Sequence, residues 1–314
     1  MDAIEEGFEV MKIGGQAVIE GVMMKSKDAW SVAVRDSKGQ IHVKRENLAP
    51  LPKVLKLPVV RGCVALFQAM VLGIKALDYS ASKAYDEDEG GQNITPLMFA
   101  VTIVVSFVIG IGIFIFLPLY ITKLLAHVIA VIENSSFWFN FIDGIIRVLF
   151  FLLYVLLISM WDDIKKVFEY HGAEHKVIFA YEAGTGMDID NIKKFGIRHP
   201  RCGTSFLFIV MIISIIVFTL IPKEWDFLYK FLSRVLFIPL IAGISYEILK
   251  LSDKASNNPI VRFLIQPGLL LQYITTKEPS DKQIEVALRA LTEVTPLSDN
   301  CGNIKGEVVK QCLS

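Results

Sequence analysis

The amino-acid sequence predicts a polytopic α-helical membrane protein with about four transmembrane helices, a small N-terminal β-rich cytosolic domain, and cytosolic and interfacial helices. Three observations carry that class. Hydrophobic residues make up 53% of the 314-residue chain, and its mean hydropathy is positive. The apolar residues gather into runs close to the roughly 20 residues that a hydrocarbon core requires. A short alternating segment precedes these runs. The 32 basic and 32 acidic side chains cancel, which excludes the basic surface of a nucleic-acid binder, so the expected partner is the lipid bilayer and no nucleic acid.

Residues 1–60 are expected to form the β-rich cytosolic domain. The opening MDAIEEGFEVM is acidic and has no apolar run behind a basic start, so it does not read as a cleaved signal peptide. Insertion falls to the internal spans. In WSVAVRDSKGQIHVK, Trp30, Val32 and Val34 alternate up to a polar turn at Asp36 to Gly39, and Ile41 and Val43 alternate beyond it, as in a hairpin. Pro50, Pro52 and Pro58 end the strand pattern.

Residues 61–93 read as an interfacial or partly buried helix followed by the solvated linker DEDEGGQN, because Arg61, Gln68 and Lys75 interrupt an otherwise apolar run. A short re-entrant segment is the other reading. Residues 94–161 hold a first transmembrane pair, with spans near 96–118 and 141–161. Between them, LYITKLLAHVIAVIE reads as an outer-surface helix that prolongs the first span. Residues 204–250 hold a second pair, near 204–222 and 231–250.

The loop 162–203 carries Lys165, Lys166, Lys176, Lys193, Lys194, Arg198 and Arg201, whereas the connections near 119–140 and 223–230 carry three lysines between them. The positive-inside rule then makes that loop and both termini cytoplasmic. Residues 251–314 are expected to be cytosolic and interfacial helices with a loose tail. The run NPIVRFLIQPGLLLQYITT is interrupted by Pro267-Gly268, and Ser280 with Gln283 forms a capping box before QIEVALRALTEV. Cys63, Cys202, Cys301 and Cys312 show no regular pairing and are expected to be reduced.

The chemistry centres on EYHGAEHK, residues 169–176. Ile164, Val167, Phe168, Ile178 and Tyr181 recur at helical spacing, and His171 and His175 fall within that stripe with Glu174 on its edge. Such groups, if buried, need partners. The spacing H-x-x-E-H is that of the inverted zincin motif: two imidazoles one turn apart reach one ion, and the adjoining glutamate reaches a water on it. In RHPRCGTS, residues 198–205, His199 and Cys202 add nitrogen and sulfur ligands in the same loop. If the second span continued straight, His171 would lie about 15 Å beyond Trp161, at 1.5 Å per residue. The helix must therefore restart near Asp162-Asp163, with these aspartates as its N-cap.

A buried hydrogen-bonded network without metal is the rival reading of His171, Glu174 and His175, and chance is a third. For His199 and Cys202 the rival is a loop histidine and a buried cysteine. His42 and His127 have no ligand neighbours in the sequence and read as structural. Glu247, near the end of the last span, is either a further ligand or proton carrier or a paired, snorkelling side chain. Glu20, isolated in GGQAVIEGVMM, is either bonded within the small domain or directed at the site.

GGQAVIEGVMM, HGAEHK, RHPRCGTSF, AGISYEILKLSDK and PGLLLQYITTKEPSDKQIEVALRAL together resemble the YqhQ-like bacterial membrane family, a domain of unknown function described as predicted metal-dependent enzymes. The resemblance spans about Gly14 to Leu291. It implies a multi-pass protein of the bacterial plasma membrane and favours His171, Glu174, His175, His199 and Cys202 as the site, with Glu20 and Glu247 as further candidates.

The leading expectation is a membrane-embedded hydrolase with a divalent metal, zinc foremost. His171, His175 and His199 or Cys202 would be ligands, and Glu174 the general base on a metal-bound water. The substrate could be a lipid, a peptide or a membrane-protein segment. The alternative is a non-catalytic accessory or scaffold factor in membrane-protein biogenesis, with the Cys/His cluster as a structural clamp. A transporter fits less well, because the spans carry few interior charges and show no inverted repeat.

Overall fold

The computed structural model describes residues 13–50, 52–84, 96–222, 224–254 and 259–295. The acidic N-terminus, the linker at 86–93, Cys301, Cys312 and the tail lie outside these residues. Four strands, β1 (Gly14–Val18), β2 (Gly21–Lys25), β3 (Ala29–Arg35) and β4 (Ile41–Asn47), form an antiparallel meander in sequence order. The hairpin of β3 and β4 pairs Arg35 with Ile41 around the Asp36–Gly39 turn, where Gly39 takes a φ of 85°.

Alternation along β3 does more than separate a wet face from a dry one. Trp30, Val32 and Val34 pack with Leu72, Ala76 and Ala84 of α1 (Val60–Ala84). Ala29 and Ala33 face the other way, toward α6 (Asp162–Glu182) and α12 (Asp281–Thr292). The sheet is thus a middle layer between helices, and all but the last residue of β3 is buried. Ser31, on the α12 side, satisfies its hydroxyl on the Ala290 carbonyl at 2.6 Å.

The polar residues that interrupt α1 all have partners. Lys25 of the sheet donates to Gln68 at 2.7 Å, Lys75 lies 3.6 Å from Glu46, and Arg61 pairs with Glu247. These contacts explain why an apolar helix of 25 residues carries polar side chains: one side of it rests on the sheet. By length and composition α1 is nevertheless one of three helices among the described residues long and apolar enough to cross a membrane, the others being Ala100–Ala126 and Ser136–Ile158.

The first of these joins α2 (Pro96–Ile111) to α3 (Leu117–Ala126) through a π-helical turn, Gly112–Phe116. Pro118 lacks an N–H for the ladder, and the wider turn absorbs that loss without ending the helix. As expected, the segment after Pro118 prolongs the first candidate span, which continues as far as Ala126 and is followed by the short α4 (Ala130–Asn134). Next come α5 (Ser136–Ile158), α6, α7 (Ile189–Lys193), α8 (Gly203–Thr219), α9 (Phe227–Leu236) and α10 (Ile238–Lys254). α8 is apolar but has only 17 residues, and α9 with α10 makes a fourth candidate span only if their 44° bend lies within one crossing.

α8 packs against α5, α10 and α11 (Pro259–Thr275). At Gly268 an added Cβ would stand 2.7 Å from the Cα of Ser205, so only glycine lets α11 approach this closely. α11 runs on through Pro267, whose fixed φ is itself helical, instead of breaking there. One group of ionisable side chains lies within the bundle: Asp143 and Arg147 of α5 meet Arg234 of α9.

Candidate metal site

The chain leaves α5 at Ile158 and starts α6 at Asp162, with extended Trp161 at the N-cap. Asp162 and Asp163 occupy the first turn rather than the cap, where their charge suits the helix dipole. This restart carries α6 away from α5 and lays it against β1, β2 and α12. Its midpoint, Tyr170 to Ile178, is buried apart from a half-buried His171.

The second motif folds back onto this face. Cys202 donates its backbone N–H to the His199 carbonyl at 3.3 Å, closing a tight turn, and N-caps α8 with its sulfur accepting from the Thr204 amide. Gln272 of α11, wholly buried, clamps the turn: it accepts from the His199 amide at 2.8 Å and donates to the His199 carbonyl at 2.9 Å. As a result one ligand atom from each of His171, His175 and Cys202 lies within 4.8 Å of the other two.

Backbone carbonyls decide the tautomers. His171 Nδ1 stands 2.8 Å from the Thr275 carbonyl and His175 Nδ1 stands 2.6 Å from that of Ile197. A carbonyl only accepts, so each Nδ1 carries the proton and each Nε2 presents a lone pair. Cys202 Sγ lies 3.1 Å from His171 Nε2 and has one proton to give it. His175 Nε2 and Glu174 Oε2 are buried with no hydrogen-bond partner.

Glu174 is pressed against the sheet. A Cβ on Gly15 would stand 2.6 Å from the Glu174 carboxyl carbon, so a glycine in β1 makes room for that carboxyl. Burial, opposed by His171 and reinforced by Cys202, pushes the Glu174 pKa up to about 8. Burial also lowers His175, which favours the neutral ring. For Cys202 burial acts upward, but interactions with His175 and the hydrogen bonds from Thr204 outweigh it and hold the thiol below its ordinary value.

His199 stands beside the cluster, with its ring centroid 5.7 Å from that of His175, but its nitrogens are turned to other work. Nδ1 accepts from the Arg201 amide at 3.2 Å, and Nε2 lies 3.4 Å from Glu182, which also pairs with Arg201. Burial acts against the charge on Glu182, yet His199 and Arg201 hold its carboxyl below the usual range. Glu20 sits at the β1–β2 turn with a φ of 48°, bonded at 3.2 Å to both Lys166 and Tyr170 of α6 and not to the His/Cys set. Glu247 accepts from Arg61 and, at 3.2 Å, from the Val59 amide. His42 bonds Asp36 at 2.7 Å, and His127 caps the end of α3.

Gly14-Gly15 reads in the sequence as backbone that permits a tight turn or a close approach, and at Gly15 the approach is that of Glu174. Sequence reasoning missed Glu182, Gln272 and the carbonyls of Ile197 and Thr275, and of these Gln272, a lone amide within LLLQYITT, left a signal in the sequence.

A family model described as "Protein of unknown function (DUF1385)" matches residues 57–297. The chain is 33% identical over 298 residues to "Uncharacterized protein YqhQ" of Bacillus subtilis (strain 168), covering 90% of this chain and 92% of that protein. No solved structure matches it. With that share of its length matched, and with the HGAEHK and RHPRCGTS motifs inside the matched region, the chain belongs to the DUF1385, YqhQ-like family.

Proposed function

We propose that this chain is a membrane-embedded hydrolase that holds a divalent metal, zinc by the character of its ligands, at the cytoplasmic face of the bacterial plasma membrane. One observation carries the proposal: the ligand atoms of His171, His175 and Cys202 converge within 4.8 Å, beside the unpartnered His175 Nε2 and Glu174 Oε2. Buried polar atoms are nearly always paired. Cys202 has a single proton to offer, so two imidazole lone pairs cannot both be satisfied by it. One cation satisfies them together, and nitrogen with sulfur favours zinc over oxygen-seeking ions.

The residues fit that ion. The Thr275 and Ile197 carbonyls orient both rings by their Nδ1 protons, the support that metal-binding histidines ordinarily have. The Thr204 amide and hydroxyl both donate to the Cys202 sulfur, which favours its thiolate form. Three protein ligands suit a catalytic zinc with an open position, whereas a structural zinc takes four. His199 is committed to Glu182 and the Arg201 amide, which supports the open arrangement. Bound there, zinc supplies Lewis acidity toward a carbonyl or phosphoryl oxygen. Glu174, with a pKa near 8, can hold or release a proton at Oε2 around neutral pH, as general acid–base work requires.

The apolar helices support embedding in the bilayer, and the basic residues of 162–203 support a cytoplasmic site. The substrate would be a lipid, a peptide or a membrane-protein segment. Elemental analysis of detergent-purified protein prepared without chelators tests the proposal. Wild type should carry about one zinc per chain, and His171→Ala/His175→Ala should carry none. A folded wild type without metal would overturn it.

A further inference from the structure

We infer that the helical bundle holds a second site, for an amphiphile with one anionic head group and an apolar chain, and that Arg147 receives the head group. The inference rests on the membrane reading above and is independent of the metal.

The starting point is an unequal count of charges. Asp143 and Arg234 are wholly buried. Arg234 donates Nε and Nη2 to Asp143 Oδ2 at 3.1 and 3.0 Å, Nη2 to Asn140 at 2.8 Å, and Nη1 to the Lys230 carbonyl at 3.0 Å. Arg147, one turn beyond Asp143, donates Nη2 to the same Oδ2 at 2.8 Å. One carboxylate oxygen therefore serves two guanidiniums. Both also lean on the Phe218 ring, 5.0 and 5.1 Å from its centroid, which removes no charge. Arg147 Nε is buried without a partner. Asp143 Oδ1 is likewise unpartnered, but Asp143 is not among the cavity's walls described next. An excess cation in a low-dielectric interior is costly unless an anion meets it.

The space for that anion is present. A cavity of about 280 Å³ has Arg147 and Arg234 as its charged walls, and apolar side chains such as Leu66, Phe206, Val210 and Ile241 around them. It shares Phe114, Ile115 and Ile238 with a shallower apolar groove of about 380 Å³ that runs along Ser106 to Ile111. A head group at Arg147 thus has a continuous apolar track for its chain. The inner cavity is at the lower edge of small-molecule pockets, which fits a small head group with the beginning of one chain. Guanidinium takes carboxylate and phosphate alike, so a fatty acid and an anionic phospholipid share the chemistry.

The test uses the full chain in phosphatidylcholine nanodiscs, with phosphatidylglycerol or oleate added, read by melting temperature and by native mass spectrometry. Either anionic amphiphile should raise the melting temperature of the wild type, and Arg147→Gln should lower its retention about tenfold, the loss of one charge-assisted contact. A response to phosphatidylglycerol alone assigns the head group to a phospholipid, and a response to oleate alone to a carboxylate. Inorganic phosphate, which has no chain, should do nothing, and binding it equally well would overturn the inference. Equal retention of zwitterionic and anionic lipid by the wild type would overturn it too, as would unchanged retention in a folded Arg147→Gln. Should that variant fail to fold, Val210→Trp fills an apolar wall and keeps Arg147: it must expel the amphiphile. Release of the chain from membranes by alkaline carbonate would remove the membrane reading and this inference together. A firmly embedded chain with no anionic preference removes this inference alone.

Discussion

Two buried polar clusters in this molecule have opposite deficits. Where α6 meets the start of α8, two imidazole lone pairs and a thiol converge, Glu174 on the same helix is buried with Oε2 unpartnered, and the hydrogen-bond partners of the two imidazoles include no lysine or arginine. Inside the bundle, two arginines share one aspartate. The first asks for a cation, the second for an anion. Burial is common to both and decides neither; the donor and acceptor count does. An unpaired buried carboxyl can stay neutral by keeping its proton, as the raised pKa of Glu174 implies, whereas an arginine has no such escape.

That contrast can be broken by mutation. Asp143→Asn leaves the buried Arg234 and the partly buried Arg147 without a counter-charge and should cost about 3–5 kcal/mol, measured by denaturant unfolding in detergent. Little change would mean that the bundle cluster already has another anion.

The neutral-carboxyl side is tested by pH. Because the folded pKa of Glu174 lies above its unfolded value, its contribution to stability is complete at low pH and is lost as pH rises from about 4.5 through about 8. In metal-free protein the decline across that range should be on the order of 5 kcal/mol, and Glu174→Gln should flatten it. Parallel pH curves for the two proteins would contradict the assignment.

Gly15→Ala places a methyl against the Glu174 carboxyl and should cost about 1–3 kcal/mol, as overpacked sites do. It should also lower bound zinc while leaving every ligand in place. Normal metal content in this variant would separate the sheet from the site. The smallest expected effect is at the capping box that opens α12, where the Ser280 amide donates to Gln283 at 2.8 Å. Ser280→Ala should lose about 1 kcal/mol of stability and leave zinc content unchanged, a control that distinguishes general loosening from loss of the site.

Much of this was legible in the sequence for reasons that can be named. The β3–β4 hairpin follows from a two-residue period around a polar turn, and the capping box from Ser280 and Gln283 three residues apart. H-x-x-E-H fixes His171 and His175 one turn apart on any helix, so their meeting needs no tertiary information. Asp143 and Arg147, four apart in an apolar helix, carried a comparable signal, but their significance depends on Arg234, 91 residues from Asp143. Interrupting α1 with Arg61, Gln68 and Lys75 reads locally as a weak membrane segment. In space, each of these residues answers a partner on the sheet or on α10.

The sequence by itself determined the local order: which segments are apolar helices, where the small sheet lies, and which side chains on α6 share a face. Periodicity and caps act over a few residues, and those are written consecutively. Only the tertiary structure decided that Cys202 joins His171 and His175 while His199 turns to Glu182 and the Arg201 amide, that Gly15 clears a place for Glu174, and that two arginines share Asp143. Each of these depends on which way a side chain points after distant elements pack, and hydrogen-bond partners from other parts of the chain set that direction.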